Sequence, residues 1–187
     1  MEEYRVKLRR KHYYLTGGQC ACSLNLNNNI TTMNIQIEPY KEEYKDKFVE
    51  LTKSWLNEYF WIEPSDEKLF ANPAAAYIET GGEILIALDT DNNVVAGVCA
   101  LVFHPQEKIW EMSKLSVSPE YRRNGIAERL VDAIIETAKS KGVRKLFLDT
   151  SKKLEAAVRL YHKKGFTEIP LKNSHYQRTD LQMVKTI

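Results

Sequence analysis

Apolar residues recur at helical spacing in two long segments of the chain. The first set lies three or four residues apart within 40–60 and predicts an amphipathic helix; it consists of Tyr44, Phe48, Leu51, Trp55 and Tyr59. The second set predicts a helix over 125–140 that stops at Gly142; it consists of Ile126, Leu130 and Ile134.

Between these helices the pattern changes to continuous apolar runs. Segments 83–88, 94–103 and 109–117 have the length and composition of strands. The first two are joined by a polar segment, 89–93, that is typical of a hairpin. A meander of three antiparallel strands is the simplest arrangement.

Further elements lie on both sides of this meander. A strand over 33–37, closed by Pro39, comes first, and Pro64 opens a second helical segment that is interrupted at Asn72 and Pro73. The later elements are a strand over 145–148, a helix over 154–164 and strands over 166–170 and 180–184. The sequence therefore predicts an α+β fold with about seven strands, mostly antiparallel, and about four helices.

Composition favours a single soluble domain. The chain has 187 residues, 43% of them hydrophobic and 28% charged, which suffices for one sizeable core. The net charge of +2 gives no field that would attract nucleic acid or a membrane. No apolar run approaches the roughly 18–20 residues of a membrane span, and the first residues lack an apolar signal region, so a cytoplasmic location is expected.

The cysteines and histidines indicate neither a disulfide framework nor a metal site. Cys20, Cys22 and Cys99 form an odd and sparse set. The first two have the wrong spacing for a zinc finger, and the four histidines show no ligand spacing. Cys99 lies in an apolar run and is expected in the core.

Residues 1–32 differ from the rest of the chain. They begin basic and aromatic, then pass through two glycines into an asparagine-rich stretch without apolar periodicity. This composition indicates disorder or loose packing, either in an appended arm or in an extension from an upstream start codon. The domain itself is expected over 33–187.

The segment 117–127 carries the strongest chemical signal. It runs from an apolar strand through a basic turn, Arg122 to Gly125, into the predicted 125–140 helix. The first N–H groups of a helix lie at the positive end of its dipole, and glycine lets the backbone approach ligand oxygens closely. The alternative, a solvated Asn-Gly hairpin turn, does not fit the helical periodicity that follows. The segment therefore predicts a phosphate site.

Three segments resemble the GNAT superfamily, the Gcn5-related N-acetyltransferases. Residues 115–119, Leu-Ser-Val-Ser-Pro, are similar to the family's strand before its phosphate loop, and 122–127, Arg-Arg-Asn-Gly-Ile-Ala, to the loop. Residues 157–166, Ala-Val-Arg-Leu-Tyr-His-Lys-Lys-Gly-Phe, are similar to a later helix. The resemblance extends over 33–187 in the order of elements and implies a GNAT-like fold with a splayed central sheet.

The resemblance implies that acetyl-coenzyme A is the cosubstrate. Its pantetheine would lie along the strand and its pyrophosphate in the loop, mostly on main-chain groups. The residues implied in cofactor binding are Leu115, Ser116, Val117, Arg122, Arg123, Asn124, Gly125, Ile126 and Ala127. No metal is implied.

Two residues are candidates for catalysis. Tyr161 matches the tyrosine that many family members use to protonate the departing CoA sulfur, although a tyrosine on an amphipathic helix is also a common packing residue. Its ordinary pKa of about 10 suits proton exchange with a thiol. Glu111 stands where relatives often have glutamate, and strict alternation would place it on one face with Ser113, Leu115 and Val117. It is expected to bind the acceptor ammonium or to take its proton through water, the alternative being an ordinary surface ion pair.

The acceptor side is less well defined by the sequence. Relatives often carry asparagine seven residues before the tyrosine, where this chain has Leu154, so the geometry near the sulfur is implied less closely than the phosphate loop. In the family, the first two helices usually shape the acceptor pocket, and here they offer Trp55, Tyr59, Phe60, Trp61 and Glu63. An aromatic wall with a carboxylate would suit an amphipathic amine, but aromatics at helical spacing are also typical of a core.

The resemblance thus implies an acetyl-CoA-dependent N-acetyltransferase that acts on a primary amine of a small molecule or peptide. Direct transfer is expected, because no cysteine is placed for a covalent acyl-enzyme. The alternatives are transfer of another acyl group, transfer to an oxygen, or a non-catalytic CoA-binding regulatory module. A homodimer through the C-terminal strands is consistent with the sequence.

Overall fold

The computed structural model of the protein describes residues 33–172, 174 and 176–187, so the expected arm over 1–32 lies outside the described residues. The strands are β1 (Ile35–Pro39), β2 (Glu83–Asp89), β3 (Val94–His104), β4 (Ile109–Val117), β5 (Lys145–Thr150), β6 (Thr167–Ile169) and β7 (Leu181–Thr186). The helices are α1 (Lys45–Tyr59), α2 (Pro64–Ala71), α3 (Ile126–Ser140) and α4 (Glu155–Lys163). The predicted α+β fold and its order of elements are confirmed.

All strands belong to one sheet in the order β1-β2-β3-β4-β5-β7-β6. Neighbours are antiparallel except β4 and β5, which are parallel and pair only at Trp110 with Leu146 and Glu111 with Phe147. Beyond Glu111 the two strands diverge, and the backbone of 112–117 has no strand partner on that edge. This splay opens the sheet at its centre and leaves main-chain N–H and C=O groups for a ligand.

A β-bulge interrupts β4 within the splayed part. The register with β3 shifts between Val98 and Ala100, and Lys114 has a φ of +55°. An extra residue reverses the alternation of side chains beyond it. Leu115 and Val117 therefore pack on the α3 side of the sheet, whereas Glu111 lies opposite Val102, which packs on the α1 side. The expectation that Glu111 shares a face with Leu115 and Val117 is wrong for this reason.

Apolar side chains cover both faces of the sheet. On one face α3 buries the predicted Ile126, Leu130 and Ile134, together with Val131, Ile135 and Ala138. On the other face α1 buries Phe48 and Leu51. Cys99 is fully buried, as predicted. Trp55 and Tyr59 have the same helical spacing but are only partly buried, which leaves them at the surface of the splay.

Local signals fix the second helix. Pro64 stands at its first turn, where its missing N–H costs nothing, and the carboxylate of Asp66 accepts a hydrogen bond from the Glu63 N–H at 3.0 Å. The helix ends before the predicted interruption, and a π-helical turn, Ala74–Ile78, follows. Among the described residues, every helix is too short or too polar to span a bilayer.

Candidate active site

A groove of about 490 Å³ lies between the unpaired edge of β4, the start of α3 and α4. Its lining includes Leu115, Ser116, Val117, Arg122 and Ala127, which are among the residues predicted to bind the cofactor. The Ser116 hydroxyl instead donates to the Leu51 carbonyl oxygen at 3.1 Å. Ser116 therefore offers the groove its main chain rather than its side chain.

The basic turn has the backbone geometry of an anion site. Arg123 and Gly125 have φ values of +67° and +76°, in the left-handed region that glycine adopts without strain. No side chain caps α3, and among the described residues the N–H groups of 126–128 have no hydrogen-bond acceptor. The Asn124 side chain donates to the Tyr121 and Arg122 carbonyl oxygens at 3.2 and 3.3 Å, which holds the turn. The Ile126 side chain itself is buried in the core.

Basic side chains line the same groove. Arg122 donates to both carboxylate oxygens of Glu58 on α1, at 3.2 and 2.7 Å. The two side chains are 38% and 40% exposed, so the pair contributes only about 0–1 kcal/mol to stability. Lys153 donates to the Tyr59 carbonyl oxygen at 2.9 Å, and Arg159 lies on the α4 wall. Sequence reasoning missed both Lys153 and Arg159, although Arg159 lies within the 157–166 motif.

A smaller cavity of about 90 Å³ adjoins the groove. The two spaces share Trp55, Leu115, Leu154 and Ala157 as walls. Tyr161 and Glu111, the two predicted catalytic residues, both line this cavity. The fold therefore brings together candidates from α4 and β4, directly beside the groove.

Tyr161 is buried against Phe166, with 6.0 Å between ring centroids. Burial raises the pKa of its phenol well above the ordinary value, so the hydroxyl stays protonated near neutral pH. Among the described residues no group forms a hydrogen bond with that hydroxyl. The side chain therefore packs and also presents an uncommitted proton donor to the cavity.

Glu111 is also buried, and its Oε2 lies 2.7 Å from His104 Nε2 on β3. The bond to Glu111 raises the pKa of His104, outweighing the opposite effect of burial. Glu111 therefore does not form the ordinary surface ion pair of the alternative interpretation. Its partner is a histidine on the neighbouring strand, and its carboxylate lies in the cavity wall. Sequence reasoning did not assign His104.

A buried network of ion pairs forms the floor of the cavity. Asp66 accepts from Lys114 Nζ at 2.6 Å and from the two terminal nitrogens of Arg178 at 2.7 and 2.9 Å. Arg178 also donates to Glu63 at 3.0 Å. Both cations lie on the ring of Tyr176, Lys114 at 4.5 Å and Arg178 at 4.2 Å from its centroid. The network ties α2, the β4 bulge and the segment before β7 together.

The charges of this network are mutually dependent. Burial alone would raise the pKa of Asp66, but the hydrogen bonds of Arg178 and the charge of Lys114 lower it overall. Burial lowers the pKa of Lys114 more than Asp66 raises it. The two cations that line the cavity are thus held by two buried carboxylates rather than presented to a ligand.

The predicted aromatic wall is divided between the two spaces. Trp55 and Phe60 line the small cavity, and Tyr59 lines the groove. Trp61 is 52% exposed and is in neither lining. Glu63 is buried in its ion pair with Arg178. The prediction therefore identifies three of the lining aromatics but not the role of the carboxylate.

Residues 30–166 match the model of the acetyltransferase (GNAT) family. The amino-acid acetyltransferase of Escherichia coli K12 is 33% identical over 85 residues, which are 45% of this chain and 18% of that protein. The chain thus spans less than a fifth of that relative's length.

Solved structures resemble the fold over most of the chain. An acetyltransferase of the GNAT family from Staphylococcus aureus Mu50 superposes with a TM-score of 0.73 at 24% identity, covering 81% of this chain and 98% of that one. A phosphinothricin acetyltransferase from Sinorhizobium meliloti, solved in complex with acetyl-CoA, superposes with a TM-score of 0.68 at 17% identity, covering 83% and 89%.

Proposed function

Because the chain belongs to the GNAT acetyltransferase family, we propose that it transfers the acetyl group of acetyl-CoA to a primary amine of a small molecule or peptide. The observation that carries the proposal is that the groove and the small cavity lie side by side and share walls. The groove, which borders the basic turn and the unpaired edge of β4, shares four wall residues with the cavity lined by Tyr161 and Glu111. Cofactor and acceptor would meet where the two spaces share walls.

Acetyl-CoA fits the groove by its chemistry. The N–H groups of 126–128 and Arg122 suit the pyrophosphate, and the unpaired edge of 112–117 suits the amides of pantetheine. Main-chain N–H groups of the same edge are suited to polarise the thioester oxygen. Lys153 and Arg159 add positive charge along the α4 wall.

Direct transfer follows from the groups in the cavity. The amine nitrogen attacks the thioester carbon, the C–S bond breaks, and Tyr161 supplies a proton to the sulfur. Glu111 takes the first proton from the acceptor ammonium, since only the neutral amine is a nucleophile. Cys99 is fully buried and burial raises its pKa, so it does not supply a thiolate for a covalent intermediate.

Charge in the cavity favours a cationic acceptor. Two further carboxylates line it: Glu111, which is bonded to His104, and Asp149, which accepts from Ser174 at 2.6 Å and from Gln182 at 2.8 Å. Its cations, Lys114 and Arg178, are bound to Asp66 and Glu63. An ammonium meets complementary charge there, whereas an acceptor carboxylate would compete with buried partners.

The proposal is tested by incubating the protein with acetyl-CoA and a panel of amines, polyamines, amino acids, aminoglycosides and peptides while free thiol is followed. We expect amine-dependent release of CoA and an acetylated product with the mass of an amide. Release with hydroxyl acceptors only would identify an O-acetyltransferase. CoA binding with no turnover of any acceptor would favour the regulatory module.

The basic turn from Arg122 to Gly125 gives a separate prediction. Gly125→Asp should weaken CoA binding roughly 10–100-fold, because a carboxylate would occupy the phosphate position and replace attraction by repulsion. A Cβ at this position meets no atom within 4 Å, so the effect is electrostatic, apart from the strain of a positive φ. Isothermal titration calorimetry with CoA measures it.

Gly142→Asp is the matched control for that strain. Gly142 has a φ of +73°, a Cβ there also meets nothing within 4 Å, and the residue follows the other end of α3. It should lose similar stability but keep its CoA affinity. Unchanged affinity in folded Gly125→Asp would remove the phosphate assignment.

A further inference from the structure

His104 is in contact with the carboxylate of Glu111, which lines the small cavity beside the groove. In the β3–β4 hairpin Glu111 is opposite Val102, so His104, two residues further along β3, is its diagonal neighbour on the same face. Its Nε2 is 2.7 Å from Glu111 Oε2, and the two side chains are 20% and 9% exposed. Glu111 lines the cavity and His104 does not, so the contact with Glu111 is what connects His104 to the acceptor.

We propose that His104 is a positioning residue that controls whether Glu111 acts as the base, an inference that rests on the proposed amine acetylation. The neutral imidazole donates its Nε2–H to Oε2, which fixes the carboxylate and leaves Oε1 for the acceptor ammonium. A second proton on His104 makes an imidazolium. The imidazolium forms an ion pair with the carboxylate and so leaves it less available to the acceptor ammonium.

The protons can be followed through the whole acetyl transfer, and they balance. The acceptor ammonium gives one proton to Glu111, and its nitrogen then forms the N–C bond as the C–S bond breaks. Tyr161 protonates the sulfur and recovers a proton from the new amide nitrogen, while the proton on Glu111 passes to water. Ammonium and acetyl-CoA thus yield an acetamide, CoA thiol and one proton, with no other reactant.

The charged groups around His104 set the pH range over which its imidazole gains or loses the second proton. Carboxylates act on it from three elements: Glu111 on β4, Glu107 in the hairpin and Asp149 on β5. All three favour the imidazolium, so its pKa lies above the ordinary 6.5. Since activity needs the neutral ring, kcat/KM should be low below that raised pKa and should increase as the pH rises through it.

The experiment compares kcat/KM–pH profiles of wild type, His104→Gln and His104→Ala, with acetyl-CoA and the amine that gives the fastest thiol release in the panel. Glutamine places an amide N–H donor where Nε2 stands but does not titrate, so the acid limb should move to lower pH with most of the activity kept. Alanine should lose roughly tenfold or more at pH values above the raised pKa of His104, where the wild-type ring is neutral. His162→Gln is the control, since His162 pairs with Glu168 at 3.3 Å but is 47% exposed and lines neither space.

A second measurement needs no acceptor. The imidazole of His104 is titrated by NMR in wild type and in Glu111→Gln, and removing the carboxylate should lower its pKa measurably. An unchanged titration, or an acid limb that stays in place in His104→Gln, would overturn the inference. If no amine in the panel reacts, the proposed function fails and the titration still decides whether His104 and Glu111 are coupled.

Discussion

Asp66→Asn should lower the free energy of unfolding by about 3–5 kcal/mol. Asp66 is completely buried and accepts hydrogen bonds from Lys114 and Arg178, whose side chains are 3% and 8% exposed. Without that charge, Arg178 still pairs with Glu63, whereas Lys114 loses its carboxylate partner and keeps its hydrogen bond to the Tyr176 hydroxyl at 3.1 Å. Urea denaturation of wild type and variant measures the difference.

A double-mutant cycle separates the buried charge from other effects. Adding Lys114→Met to Asp66→Asn removes the unpaired cation and should recover part of the loss, because replacing both partners costs less than removing one. Glu155→Gln breaks the Glu155–Arg159 pair, which is 78% and 70% exposed, and should change stability by less than about 0.5 kcal/mol. Equal small losses in Asp66→Asn and Glu155→Gln would show that the network does not hold the cavity floor together.

The Asp66 carboxylate also predicts how the stability of the protein changes with pH. The folded-state pKa of Asp66 is lowered overall, so its contribution to stability is complete above the unfolded value of about 4 and is lost as the pH falls through the folded value. Wild type should therefore lose stability in acid more steeply than Asp66→Asn. This difference is read from the slopes of unfolding free energy against pH.

Features set by neighbouring residues were predictable from the sequence. The stripe of α3, the break at Asn72 and Pro73, and the buried Cys99 each depend on local spacing and on the burial of an apolar run. The turn from Arg122 to Gly125 belongs to this class, since a helix start and a glycine define its backbone. Tyr161 was predicted from a motif on one helix, and the structure places it in the wall of the small cavity.

Features set by distant segments were not predictable. Asp66 and Lys114 are 48 residues apart, and Asp66 and Arg178 are 112 apart, so only the tertiary fold joins them. The sequence gives no sign of the bulge at Lys114. The strand is covered on both faces, so apolar and polar residues along it do not alternate cleanly. That single residue reversed the face assigned to Leu115 and Val117. It also directed a lysine side chain inward to the α2 carboxylate.

Tyr161 and Tyr77 offer a matched pair of buried phenols. The Tyr77 hydroxyl is buried with no hydrogen-bond partner among the described residues and lies outside both ligand spaces. Tyr77→Phe removes a buried polar group that has nothing to bond, so stability should stay equal or rise, and kcat should not change. The same substitution at Tyr161 isolates the chemistry of a hydroxyl that faces the cavity.

Tyr161→Phe should reduce kcat by roughly 10²-fold, about 2.7 kcal/mol of transition-state stabilisation, with the amine that the panel identifies. The ring packing on Phe166 is kept, and no described hydrogen bond is lost, so CoA affinity and Tm should change little. Because burial raises the pKa of Tyr161, the donor stays protonated across the assay range and the loss should not depend on pH. Steady-state kinetics, calorimetry and thermal unfolding measure the three quantities. A fully active variant would make Tyr161 a packing residue and require the thiolate to take its proton from water.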